Sequence, residues 1–327
     1  MKIKIYFSVL LLIVLIFSCK KDDDVEPFDH EAQEVIDDAS IREYLETHFY
    51  TPPATNEAFG VVDTILNGEE PLMNVVTEQI VDINDINYKL YYLKNTPEGT
   101  GSSASRVDSV FVKYQGLLMD YNFDEPKFDE RINYTWFLLT SVIPGWSYGF
   151  PNYKAGVNIS LPDMPITFEN TGKGMLFIPS GLAYRNLGTS GIGPNKTLMF
   201  HIDLAQAEKA DHDFDSVATI YEDLNNDDDY SNDDTDGNGV ANFLDSDDDG
   251  DRLFTVFENA DPNNDENPND AIDTDGDGKP NFLDDDDDGD GVLTINENAD
   301  PNRDGNPDDA EDSDGDNIPD YLDADTN

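Results

Sequence analysis

The sequence predicts an α+β domain followed by an irregular, acidic repeat array, and three observations predict it. A segment with helical spacing precedes a run of short alternating strands that ends near residue 208. Composition then changes abruptly at about residue 209. Beyond that point an aspartate-rich motif returns at a fixed interval, the mark of an array. The charge follows the same division. The 327 residues carry a net −52, from 71 acidic against 19 basic side chains, and residues 211–327 hold 42 of the acids but only 3 of the bases. This excludes a nucleic-acid surface, which needs a basic footprint. It also means that the last third does not fold unaided, because like charges repel in a compact state. Either it is a disordered tail or cations complete it.

The elements follow in order. In residues 31–50, Val35, Ile36, Ile41, Tyr44 and Leu45 fall near one helical face, and Pro52-Pro53 stops that helix. Residues 75–94 alternate as strands, ending in Tyr88-Lys89-Leu90-Tyr91-Tyr92-Leu93. Pro97, Gly99, Gly101 and three serines make 95–105 a loop. Val107 to Tyr114 is a strand in which Val110 and Val112 oppose Phe111 and Lys113. A stretch rich in Gly, Pro and aromatics follows, with one short helix around Trp146 to Tyr153. Thr197 to Leu204 alternates as a last strand.

The N-terminus addresses the chain. Lys2 and Lys4 precede an apolar run, Phe7 to Phe17, that is short for a membrane span. The single cysteine follows in Leu15-Ile16-Phe17-Ser18-Cys19, which resembles a bacterial lipobox. The resemblance implies a signal peptide over 1–18, acylation of Cys19 as a membrane anchor, and a tether over 19–30. Lys20-Lys21-Asp22-Asp23-Asp24 resembles the export signal of Bacteroidota lipoproteins and implies the outer membrane, at the cell surface, with the periplasmic face as the alternative.

Four segments in order carry a second resemblance: Val112-Lys113-Tyr114-Gln115-Gly116-Leu117-Leu118, then Asn122-Phe123-Asp124, then Val142-Ile143-Pro144-Gly145-Trp146. The fourth is Phe177-Ile178-Pro179-Ser180-Gly181-Leu182-Ala183-Tyr184 with Gly191-Ile192-Gly193-Pro194-Asn195-Lys196-Thr197-Leu198-Met199-Phe200. Residues 106–208 therefore resemble an FKBP-type peptidyl-prolyl cis-trans isomerase domain. The resemblance implies an antiparallel, twisted sheet wrapped on a short helix and an activity toward proline-containing polypeptides, with no cofactor for catalysis. It implies Trp146 as a pocket floor, with Tyr114, Phe123, Val142, Ile143, Ile192 and Phe200 as walls. Asp124 would sit beside the twisting carbonyl, and the Tyr184 hydroxyl would bind a substrate carbonyl. Residues 31–105 resemble the lead segment of envelope FKBPs, which implies pairing, as in a homodimer, or substrate holding.

Departures accompany it. The turn Asp120-Tyr121-Asn122 is one residue short, and Arg185 replaces a glycine usual after the tyrosine. Gly193 stands where a proline is common, and Thr135 where an aromatic is expected. About thirteen extra residues near 158–171 suggest a lengthened hairpin beside the pocket.

In the acidic third, the loop opening at Asp234, with Asp236 and Asn238, recurs as Asp273, Asp275, Asp277 and as Asp312, Asp314, Asp316, 39 residues apart. Each reaches an acid at its twelfth position: Asp245, Asp284 and Asp323. Between them lie Asp247, Asp249, Asp251 with Glu258, and Asp286, Asp288, Asp290 with Gly291 and Glu297. The latter meets the EF-hand ligand pattern: alternation puts three carboxylates inside one turn, glycine permits the bend, and the late Glu supplies two oxygens. The former has Arg252 at the glycine position and is expected to be weaker. Asp211, Asp213, Asp215 and Glu222 form a degenerate first copy. Residues 211–327 resemble thrombospondin type 3-like repeats, and all-oxygen ligands point to structural Ca²⁺. Apolar pairs recur with the ligands, at Phe243-Leu244, Phe282-Leu283 and Tyr321-Leu322, which a disordered tail does not need.

The leading reading is a lipid-anchored isomerase of Xaa-Pro bonds in envelope or surface proteins. The alternatives are a non-catalytic FKBP-like binding or chaperone protein, and a calcium-dependent adhesion protein.

Overall fold

The computed structural model describes residues 27–53, 59–119, 127–162 and 164–326. Cys19 and the leader lie outside the described residues, as do Phe123, Asp124 and the turn before them. Helix α1 (His30–Thr47) starts at Asp29, whose Oδ1 accepts the Ala32 N–H at 2.8 Å. Its inward face differs from the expected one. Ile41 and Leu45 are fully buried, but Val35 and Ile36 are 63% and 61% exposed, and Glu34 and Asp37 turn inward instead. Polar anchoring explains this. Asp37 Oδ2 accepts the Ser180 backbone N–H at 2.7 Å, while Asp38 accepts from Lys89 Nζ at 2.6 Å and from the Tyr91 hydroxyl at 2.7 Å. These charge-assisted bonds fix the rotation of the first turns, and the apolar contacts fix the last.

Strands β1 (His48–Thr51) and β2 (Val61–Thr64) pair as a ribbon. Strands β3 (Thr77–Ile83) and β4 (Ile86–Lys94) form a tight hairpin through Asn84 and Asp85, both at positive φ, as a two-residue turn of this twist requires. They join β5 (Ser109–Leu118), β6 (Asp129–Leu138), β9 (Gly172–Ile178) and β10 (Leu198–Glu208) in one antiparallel sheet of order β3-β4-β9-β10-β5-β6. The lead segment thus hydrogen-bonds into the same sheet as the segment that follows it. Alternation sends Val110, Val112 and Tyr114 to one face, packed on helix α2 (Pro144–Gly149), and Met175, Phe177 and Met199 to the other, packed under α1. Gly145 lets α2 approach β9: a Cβ there would lie 2.3 Å from Ile178 Cγ2.

The extra residues do form a hairpin, β7 (Val157–Asn158) with β8 (Phe168–Glu169), but it does not flank the pocket. Phe168 packs on Phe111 and Tyr134, the aromatics that β5 and β6 turn away from α2. Phe111 stacks in turn on Trp136 at 4.9 Å.

After β10 the described chain is a succession of short 3-10 turns. Two small apolar cores repeat along it: Val217, Ala260 and Phe282, then Leu253, Ala299 and Tyr321. A hydrogen-bonded latch also repeats, with the Asn242 and Asn281 amides on the Thr235 and Thr274 hydroxyls at 2.8 and 2.9 Å. The Ser313 hydroxyl bonds Asp320 at the third equivalent position.

Candidate functional site

A cavity of about 450 Å³ opens between β5, β6, β10 and α2. Trp146, 4% exposed, forms its floor. Tyr114, Phe137 and Phe200 meet the indole edge to face at 4.9, 5.4 and 5.3 Å, the arrangement that aromatic quadrupoles favour. Ser141, Val142, Ile143, Pro144, Ala183 and Tyr184 complete the wall with Phe128 and Asp129. The expected residues Tyr114, Val142, Ile143, Trp146, Tyr184 and Phe200 thus come together. Ile192 is buried in the adjoining core rather than on the cavity wall.

Several lining residues, Phe128, Asp129, Phe137 and Ser141 among them, went unrecognised in the sequence. Asp129 Oδ2 accepts the Tyr114 hydroxyl at 2.5 Å, and Arg131 Nη1 lies 3.2 Å from its other oxygen. Phe128 stands edge on to Phe200 at 5.5 Å. The available signal was the dipeptide itself, since Phe-Asp occurs at 123–124 and again at 128–129. Burial, reinforced by the Asp129 hydrogen bond and charge, pushes the Tyr114 phenol far above its ordinary range, so it remains a donor. Burial also raises Tyr184, with Asp129 adding to it. The Arg185 departure has a physical reading: its φ is 52°, the left-handed region a glycine takes freely, and its Nε donates to the Gly181 carbonyl at 3.2 Å.

The acidic repeats form two kinds of cluster. Asp273, Asp275 and Asp277 converge within one exposed loop, and Asp286, Asp288 and Asp290 converge within the next. The first aspartates of the exposed loops are tied to their own backbone. Asp234 accepts from the Gly237 and Gly239 amides, Asp273 from Gly276 and Gly278, and Asp312 from Gly315 and Asn317. The twelfth-position acids also have partners. Asp245 accepts from Asn238 at 2.8 Å, Asp284 lies 3.6 Å from Lys279 Nζ, and Asp323 accepts from Thr326 at 3.0 Å.

Asp211, Asp213 and Asp215 likewise converge within one loop, whereas two further clusters are buried and cross between loops. Asp249, Asp251 and Glu258 meet Asp287, while Asp215 and Glu222 meet Asp248. Burial and mutual repulsion push Glu222 up to about 10, and Asp248 and Asp287 each up to about 9. Arg252 takes φ 85°, close to the 95° of Gly291 at the matching position of the next copy.

Residues 101–205 match the family model described as FKBP-type peptidyl-prolyl cis-trans isomerase, and residues 212–272 match one described as BamM C-terminal. The FKBP-type peptidyl-prolyl cis-trans isomerase FkpA of Escherichia coli K12 is 36% identical over 113 residues, 34% of this chain and 36% of its own length. The outer membrane protein MIP of Legionella longbeachae is 34% identical over 114 residues, 34% of this chain and 42% of its own. The crystal structure of FkpA from Escherichia coli aligns with 34% identity over 37% of this chain and 48% of that one, at a TM-score of 0.29. The chain thus spans little more than a third of the length of these sequence relatives.

Proposed function

We propose, from the premise that residues 101–205 belong to the FKBP-type peptidyl-prolyl cis-trans isomerase family, that this protein accelerates rotation about Xaa-Pro bonds. The observation that carries the proposal is the cavity floored by Trp146 and walled by Tyr114, Phe137 and Phe200. Resonance gives the prolyl imide a barrier of about 20 kcal/mol, and rotation takes tens of seconds. No nucleophile or metal is needed to lower it. A dry aromatic pocket disfavours the charge-separated planar form, and donors placed for the twisted state hold the carbonyls. In this reading the Tyr184 hydroxyl binds a substrate carbonyl. Asp129 holds Tyr114 through its hydroxyl, and Trp146 supports the proline ring.

The substrates are proline-containing segments of envelope proteins. The chain reaches them as a lipoprotein anchored through Cys19, on the strength of the lipobox-like sequence. The acidic repeats bind structural Ca²⁺ through their loop aspartates, which supports folding where calcium is plentiful. The test is turnover on a panel of Xaa-Pro peptides. A pocket that merely holds proline segments binds them without accelerating rotation.

A further inference from the structure

Seven carboxylates sit where neither the pocket nor a single loop accounts for them. In one group Asp249, Asp251, Glu258 and Asp287 bring an oxygen each within 4.8 Å of one another. In the other, Asp215, Glu222 and Asp248 do the same. None of the seven side chains is more than 8% exposed, and Asp248 and Asp287 are 1% and 2% exposed. Both oxygens of Glu222, Asp248, Glu258 and Asp287 are buried without a hydrogen-bond partner among the described residues. Apolar packing does not explain this, because several uncompensated carboxylates taken out of water cost several kcal/mol each.

The ligands come from different repeats. Asp287 follows Asp248 by 39 residues, the period of the array, and each stands between two loop aspartates, Asp247 and Asp249 in one copy and Asp286 and Asp288, within a run of five, in the next. The flanking aspartates group with their own loop, and the one between them groups with the preceding loop. We propose that Asp215, Glu222 and Asp248, and likewise Asp249, Asp251, Glu258 and Asp287, form two divalent-cation centres shared between successive repeats, each ion joining one repeat to the next. This rests on the reading of the array as calcium-binding and assigns ligands that the loop pattern does not.

The chemistry selects the ion. The donors are all carboxylate oxygens supplied without dedicated waters, the hard, flexible oxygen set that Ca²⁺ accepts and that the strictly octahedral, reluctantly dehydrated Mg²⁺ does not favour. The third copy differs. Thr326 stands 39 residues after Asp287, so Asp288, Asp290 and Glu297 lack the equivalent carboxylate.

The test is calorimetric titration of CaCl2 into the full chain stripped of divalent ions, for wild type, Asp248→Asn, Asp287→Asn and Asp277→Asn. Asn at 248 or 287 is close in size to the acid it replaces and adds no charge to a crowded buried group, so the cation-free fold is kept, and circular dichroism verifies this. We expect Asp248→Asn and Asp287→Asn each to weaken the tightest class of calcium binding at least tenfold and to shrink the calcium-induced rise in Tm. Asp277→Asn, confined to one exposed loop, leaves that class intact. Wild-type titration curves from both Asp248→Asn and Asp287→Asn would overturn the shared centres while leaving calcium binding in place. A wild-type chain that takes up no calcium would overturn the calcium reading and the centres with it.

Discussion

The Tyr114 hydroxyl donates to Asp129 Oδ2 at 2.5 Å, and both residues line the Trp146 cavity. Tyr114 comes from the middle of β5 and Asp129 from the first residue of β6, so the bond adds a side-chain tie between two paired strands that both line the pocket. A hydrogen bond to a charged acceptor is worth about 1.5–3 kcal/mol. Asp129→Asn is therefore expected to lower kcat/KM on Xaa-Pro peptides by roughly tenfold. Asp124→Asn, measured beside it, is expected to have the smaller effect. The reverse order would return the role to the first Phe-Asp pair.

Trp146 and Phe200 are core residues as well as pocket residues. Truncating either to alanine is expected to destabilise the domain by about 3–5 kcal/mol, read from urea unfolding. Phe200→Leu keeps much of the volume but loses the ring that faces Trp146. Its kcat/KM should fall while its unfolding midpoint moves by less than that of Phe200→Ala.

His201 lies on the α1 side of β10, 5% exposed, with the rings of Tyr50 and Phe59 at 6.4 and 5.9 Å. Burial, with Lys127 nearby, pushes its pKa down to about 4. The unfolded chain binds a proton near pH 6.5 and the folded one does not until near pH 4. Stability is therefore lost as pH falls through that window, by up to about 3 kcal/mol from this group. His201→Gln should remove that part of the acid sensitivity. Parallel unfolding curves for both proteins at pH 7 and pH 4.5 give the difference. An identical pH dependence would show that His201 is not held neutral.

Gly289 takes φ 71°, and a Cβ there would fall 2.3 Å from Asp275 Oδ2, whereas Gly278, at φ 103°, has open space around it. Both alanine variants carry the positive-φ strain, but only Gly289→Ala also displaces Asp275. It should lower the thermal stability of the calcium-loaded array by about 1–2 kcal/mol more than Gly278→Ala does. Equal effects would show that the Asp275 contact is slack.

Legibility in the sequence followed the range of the forces involved. Strand alternation at Val110, Val112 and Tyr114 was readable because one sheet face is buried throughout, and Trp146, Tyr184 and Phe200 were readable because their motifs are local. The rotation of α1 was not, because Asp37 and Asp38 are anchored by residues 143 and 53 positions away, at Ser180 and Tyr91. The hairpin at 157–169 could be counted but not placed, since Phe168 finds its partners on β5 and β6. Asp129 was hidden by a nearer copy of its own dipeptide. Asp248 and Asp287 were hidden because alternation within one loop leaves the middle aspartate without a role, and only the stacking of repeats supplies one.

The most direct test of the account is the rate of cis-to-trans isomerisation of a Xaa-Pro peptide by the full chain, wild type against Trp146→Leu, with folding verified by circular dichroism. The account predicts acceleration well above the uncatalysed rate by the wild type and its near-complete loss in the folded variant. A wild-type chain no faster than the uncatalysed reaction, or a folded Trp146→Leu as fast as wild type, would contradict it.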